Sequence, residues 1–216
     1  MEQPPQPAKS PRPLVGWMVL AFAIALPSVV TWVYFVLLAD AAPAVQIATS
    51  AIGKGVQFAL PVVWIFLVCR RRAHWQWPQT NDLLLGAATG AAIAAAMAGL
   101  YIGWLQHVEA FSSAVEPVRE KVAGFGIDSL GKYLALTVFY ALVHSLLEEY
   151  YWRWFVFAEL ERLSPKAVAI AVSSLGFAAH HVIVLAKYFG YGSPLTWLFT
   201  LGVAAGGVIW AWQFSR

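Results

Sequence analysis

Charge is scarce in this chain. Only 12% of its 216 residues are Asp, Glu, Lys or Arg, while 60% are hydrophobic and the mean hydropathy is +0.66. Soluble domains carry about 25% charged and 45–50% apolar residues, so a soluble globular domain is excluded. Cysteine is nearly absent: Cys69 stands alone, which excludes an intrachain disulfide and a multi-cysteine metal site. It lies in an apolar run just before Arg70 and is expected to be an inert membrane residue. Aspartate occurs only at Asp40, Asp82 and Asp128, all in loops or at the ends of apolar runs, which argues against an intramembrane aspartyl dyad. No HExxH is present, so the usual zincin arrangement is excluded. The net charge is +3 and the pI about 9.1. Much of the basic charge sits beside apolar spans, where it sets topology, so nucleic acid is not an expected partner.

What the chain does have is apolar length. A membrane helix needs about 20 apolar residues. Candidate spans run over about 14–39, 50–69, 83–106, 133–158, 166–189 and 194–214. The expected fold is therefore all-α, a polytopic transmembrane bundle of about six spans and one domain, 14–216. Residues 1–13, rich in proline, are expected to form a disordered cytoplasmic tail. The first run exceeds the roughly 7–15-residue core of a cleavable signal peptide and is expected to be retained. Lys54 and Pro61 interrupt the second span, and Lys54, near its start, could snorkel.

Lys9, Arg12, Arg70-Arg71-Arg72, Arg162, Lys166 and Arg216 all fall on one side if six spans alternate. This predicts a multi-pass protein of the plasma (inner) membrane with both termini cytoplasmic. The stretch Arg71-Arg72-Ala73-His74-Trp75 reads as a cytoplasmic edge, and the 107–132 loop as an interfacial amphipathic segment. Gly86–Gly90 and Gly202–Gly206 are GxxxG patterns, expected to pack tightly inside the bundle rather than to form a dimer interface.

The chemistry concentrates in the fourth and fifth spans. His144-Ser145-Leu146-Leu147-Glu148-Glu149 and Arg153 stand in one apolar run, and His180-His181 in the next. Ionisable residues inside a membrane helix are by default a functional hypothesis. Helical spacing puts Glu149 on one face with Ser145 and Arg153, and Glu148 on another with His144. The antiparallel spans offset the glutamates and histidines in depth by roughly 7–11 Å, which tilt and side-chain length can close. A carboxylate in a low-dielectric site makes a competent base for water. A nearby imidazole can orient the water, donate to an oxyanion or bind a metal. Neighbouring helix residues point about 100° apart, so only one of His180 and His181 is expected to face the site. His144 reads as a helix-packing or supporting residue, and Glu149–Arg153 alone could be an ion pair that fixes packing.

Glu148-Glu149-Tyr-Tyr-Trp-Arg153 matches EExxxR, and Phe177-Ala-Ala-His-His181 matches FxxxH one helix later. Together on consecutive spans, these motifs resemble the CPBP family of intramembrane proteases, which includes type II CAAX prenyl endopeptidases and bacteriocin-processing or self-immunity proteins. The resemblance covers about 133–216. It implies a site inside the bilayer, with Glu148 activating water, Glu149 and Arg153 supporting it, and His181 as the second catalytic group. It leaves open whether a divalent metal such as zinc takes part, with Glu148 and His181 as candidate ligands. Two departures stand out. Trp154 takes the place where the family often has glycine. The family's last motif, histidine followed four residues later by asparagine or aspartate, has no counterpart, since no histidine follows His181 and Asn81 is the sole asparagine. The chain is therefore expected to be C-terminally truncated.

The expected function is an intramembrane endopeptidase acting on a membrane-associated substrate, CAAX-prenyl type among the candidates, with glutamate-activated water. The alternatives are a catalytically silent binding or bacteriocin-immunity protein of the same fold, or a small transporter using Glu148, Glu149 and His181 as relay groups. Substrate identity and oligomeric state stay open.

Overall fold

A computed structural model of the chain describes residues 13–72, 77 and 79–216. Nearly all of the expected tail, and the Ala73–Trp75 part of the expected edge, lie outside the described residues. All regular structure among the described residues is helical. Six helical stretches are long and apolar enough to cross a membrane: Pro13–Leu37, Pro43–Val68, Thr80–His107, Leu130–Leu163, Lys166–Phe189 and Pro194–Phe214. The expected all-α polytopic bundle is thus the observed one.

The first span is α1 (Pro13–Trp32), running on as wider π turns over Val33–Leu37. The second is α2 (Pro43–Val62), which opens with Pro43 at its first turn, where no amide donor is needed. Pro61 lies inside α2 and can give no amide hydrogen bond; directly after it the helix widens into π turns over Val63–Val68. The third is α3 (Thr80–Gly103), capped by Asp82, which accepts the Gln79 amide at 3.0 Å. Two short helices, α4 (Glu109–Ser112) and α5 (Val115–Ala123), occupy the expected amphipathic loop.

The fourth span is built from α6 (Leu130–Val138), π turns over Phe139–His144, α7 (Ser145–Glu149), π turns over Tyr150–Phe157, and α8 (Ala158–Leu163). Then come α9 (Lys166–Phe189) and α10 (Pro194–Phe214). The turn between these two uses Gly190 at φ 84°, a conformation open to glycine but strained for other residues.

The core sits on the second half of the fourth span. Tyr151, Trp152, Phe155, Val156, Phe157 and Leu160 are fully or almost fully enclosed, against Leu20 and Ala23 of α1 and Ala169 and Phe177 of α9. The Tyr151 hydroxyl donates to the Ala23 carbonyl at 2.7 Å, and the Tyr150 hydroxyl to the Phe58 carbonyl at 3.1 Å. One helical segment is thus pinned to both α1 and α2. At the far end Glu159 gathers three cations or donors. Trp64 Nε1 donates to it at 3.0 Å, Arg71 Nη2 at 2.6 Å, and Arg162 Nε lies 3.2 Å away. The outer surface carries many exposed large apolar side chains, as a lipid-facing surface must.

One expectation fails in part. A Cβ added at Gly86, Gly90 or Gly202 would meet nothing within 4 Å, so these glycines do not mediate tight packing among the described residues. In α10 the second glycine of the pattern, Gly206, is buried and leaves room for the Trp210 ring, and the close approach to α9 is at its neighbour Gly207, where a Cβ would lie 3.1–3.3 Å from Ser174 atoms. Small residues permit close contact only on the face that meets a neighbour, and α3 has no buried residue. It is joined to α10 by Gln213 Nε2 donating to Thr89 Oγ1 at 2.7 Å. The second span starts at Pro43, earlier than expected, so Lys54 lies about 16 Å along the helix from that end and about 21 Å from Val68 at 1.5 Å per residue.

Candidate active site

Glu148 and Glu149 end α7, a short stretch of ordinary helix between two π stretches. Such widened turns recur at functional sites because they re-aim side chains at the expense of regular backbone pairing. Glu148 is half-buried, and its Oε1 lies 3.3 Å from His144 Nε2 one turn back, as the shared face predicts. Ser145 is exposed and donates to the Tyr140 carbonyl at 2.9 Å, so it stands apart from the cluster.

Across the interface, α9 brings both of its histidines to Glu148. One carboxylate oxygen of Glu148 and one nitrogen each of His180 and His181 all lie within 4.8 Å of one another. The expectation that only one histidine faces the site is corrected here. Backbone directions 100° apart do not prevent convergence when both rings rotate inward. The His180 and His181 centroids are 4.1 Å apart, and His180 is held parallel to the Trp152 indole at 6.1 Å. The antiparallel depth offset closes to the same distance.

His181 is held in a defined way. Its Nδ1 lies 2.9 Å from the Phe177 carbonyl, which can only accept, so Nδ1 carries the proton and the neutral ring keeps its lone pair on Nε2. Buried His180 has no partner for Nδ1. Two imidazoles and a carboxylate are the donor types of a three-ligand catalytic zinc site, and this cluster fits a divalent cation chemically.

Arg153 does what the EExxxR spacing suggests, and more. Its Nε lies 3.6 Å from Glu149 Oε2. Its side chain is only 3% exposed, and none of its three nitrogens has a hydrogen-bond partner. The guanidinium instead lies 4.8 Å over the Phe177 ring and 5.9 Å from the Trp210 ring. Phe177 therefore serves both motifs: its ring seats Arg153 and its carbonyl seats His181. Trp210, on α10, was not foreseen, because a tryptophan in an apolar span carries no spacing signal of its own.

Residues 130–216 match the family model described as type II CAAX prenyl endopeptidase Rce1-like. The match supports the CPBP family of intramembrane proteases for that segment, less than half of the chain. The matched segment holds both motifs and all of Glu148, Glu149, Arg153, His180 and His181, while α1 and α2 pack against it from outside the match. The CPBP family is a protease family, so protease activity is supported at family level. No curated protein and no solved structure matches the chain.

Proposed function

We propose that the chain is an intramembrane endopeptidase that hydrolyses a peptide bond of a membrane-associated, CAAX-prenyl-type substrate, with both termini on the cytoplasmic side of the inner membrane. The observation that carries this reading is the convergence of Glu148, His180 and His181 within 4.8 Å inside the apolar spans. Glu148 takes a proton from water, whose oxygen bonds to the scissile carbonyl carbon while the carbonyl electron pair moves to oxygen. Collapse of that intermediate breaks the C–N bond, and the proton held by Glu148 passes to the leaving nitrogen. His181, with its proton fixed on Nδ1, presents Nε2 to orient the water. His144 steadies Glu148 from one turn away, and Arg153 balances Glu149. In place of those roles, Glu148, His180 and His181 would together hold a divalent cation such as zinc, which when bound would polarise a carbonyl and acidify water.

The test is cleavage of a fluorogenic farnesylated CAAX peptide by the purified chain in lipid nanodiscs. The expected result is turnover by the wild type and a loss of about 10²–10⁴-fold in Glu148→Gln, with the thermal unfolding midpoint unchanged. Equal turnover by Glu148→Gln removes Glu148 as the base, and no turnover by the wild type on prenylated and unprenylated peptides alike overturns the reading in favour of a silent binding or immunity role.

A further inference from the structure

Lys54 is a lysine in the middle of a membrane span. It is half-buried, about 16 Å along the helix from one end of the span and about 21 Å from the other. A charged side chain at that depth costs several kcal/mol or is made tolerable by neighbours in the bundle, and such residues by default mark a function whose partner must be named. The neighbours are on the page. The Lys54 ammonium interacts electrostatically with Glu148 from the fourth span and with His180 and His181 from α9. These are the three groups of the cluster. Its approach is fixed by structure around it. Lys54 Nζ lies 5.7 Å from the Phe58 ring one turn along α2. The Phe58 carbonyl accepts from the Tyr150 hydroxyl, and its ring meets the Tyr151 ring edge-on at 6.2 Å. Tyr150 and Tyr151 directly follow Glu149, so α2 is stitched to the fourth span at the level of the glutamates. On the other side, a Cβ at Gly53 would come within 2.8 Å of Val30, so α2 presses closely on α1 beside Lys54.

We propose that Lys54 is a further catalytic residue, whose ammonium stabilises the oxyanion that forms on the scissile carbonyl. This rests on the peptidase reading. In that reaction Glu148 becomes neutral as it takes the proton of water, and one negative charge appears on the carbonyl oxygen. A fixed cation beside the reacting atoms meets that charge in a water-poor site, where electrostatic stabilisation is strongest. Lys54 passes no proton in this step, so the proton balance between water, Glu148 and the leaving amine is unaltered. The residue lies outside the matched segment 130–216, so the α1–α2 hairpin contributes chemistry as well as packing.

The experiment compares wild type, Lys54→Met, Lys54→Gln and Lys54→Arg in nanodiscs, with the same farnesylated peptide and with a phosphinic peptide that mimics the tetrahedral anion. The expected result is a fall in kcat of about 10²–10³-fold in Lys54→Met and Lys54→Gln with little change in KM, and partial recovery in Lys54→Arg. Both neutral variants also lose affinity for the phosphinic peptide by more than about tenfold, while an uncharged hydroxyethylene isostere binds as before. Full kcat in either neutral variant overturns the proposal, as does unchanged phosphinic binding. A rise in KM confined to peptides with a free C-terminal carboxylate overturns it in favour of terminal recognition. An active wild type with active Lys54 variants sinks this proposal alone. A wild type that neither cleaves the peptide nor binds the phosphinic mimic removes the peptidase reading as well.

Discussion

The Arg153 guanidinium lies 4.8 Å over the Phe177 ring, and the Phe177 carbonyl receives Nδ1–H of His181 at 2.9 Å. One residue therefore couples the arginine of the first motif to the histidine of the second. Buried cation–π pairs contribute about 0.5–2 kcal/mol. A double-mutant cycle with Arg153→Met and Phe177→Leu, read by thermal unfolding in detergent, is expected to give a coupling energy in that range. Strictly additive effects of the two changes would mean that the stacking has no energetic content.

Glu159 is expected to be the strongest single clamp between the second and fourth spans. Its carboxylate takes the Trp64 indole N–H and the Arg71 guanidinium, and its hydrogen bond to Arg71 raises the guanidinium above its ordinary value. Glu159→Ala leaves the buried indole donor and Arg71 without their acceptor. The expected loss is about 1–3 kcal/mol, seen as a lower unfolding midpoint. Arg162→Ala should change little, because that side chain is 60% exposed. Equal effects of the two substitutions contradict this assignment.

Two glycines give opposite expectations. A Cβ at Gly176 would lie 2.9 Å from Ile24 Cγ2 and 3.0 Å from Trp152 Cζ3, both packed in the core beside the site. Gly176→Val is expected to cost about 1–3 kcal/mol by overpacking. Gly55 on α2 would meet nothing within 4 Å, so Gly55→Ala is neutral or slightly stabilising through helix propensity. Comparison of the two midpoints checks the tight α1–α9 approach directly.

His180 and His181 should separate by readout. His180→Phe preserves an aromatic ring against Trp152 and removes a nitrogen donor. Its unfolding midpoint is expected to stay close to wild type, while zinc bound per chain, measured by elemental analysis after dialysis, falls. Unchanged zinc content excludes His180 as a ligand. His181→Phe removes both ring nitrogens of a residue in the cluster, and its turnover of the farnesylated peptide should drop by about 10²–10⁴-fold.

The sequence by itself determined the membrane class, because burying so little charge in so much apolar length leaves only lipid-spanning helices. It also determined the motif residues, since i, i+4 spacing places Glu148 with His144 and Glu149 with Arg153 whatever the rest of the chain does, and distances of 3.3 and 3.6 Å agree. What only the tertiary structure decided depends on how helices rotate against one another. Rotation chose Gly207 over Gly202 as the close contact, since the five-residue step between them turns the helix face by about 140°. It brought His180 in beside His181 through the Trp152 stack, set Trp210 beside Arg153, and placed Lys54 with the cluster. None of these could be read from spacing, because each joins residues on different spans. In a bundle where lipid and core are equally apolar, hydrophobic pattern does not say which face of a helix turns inward.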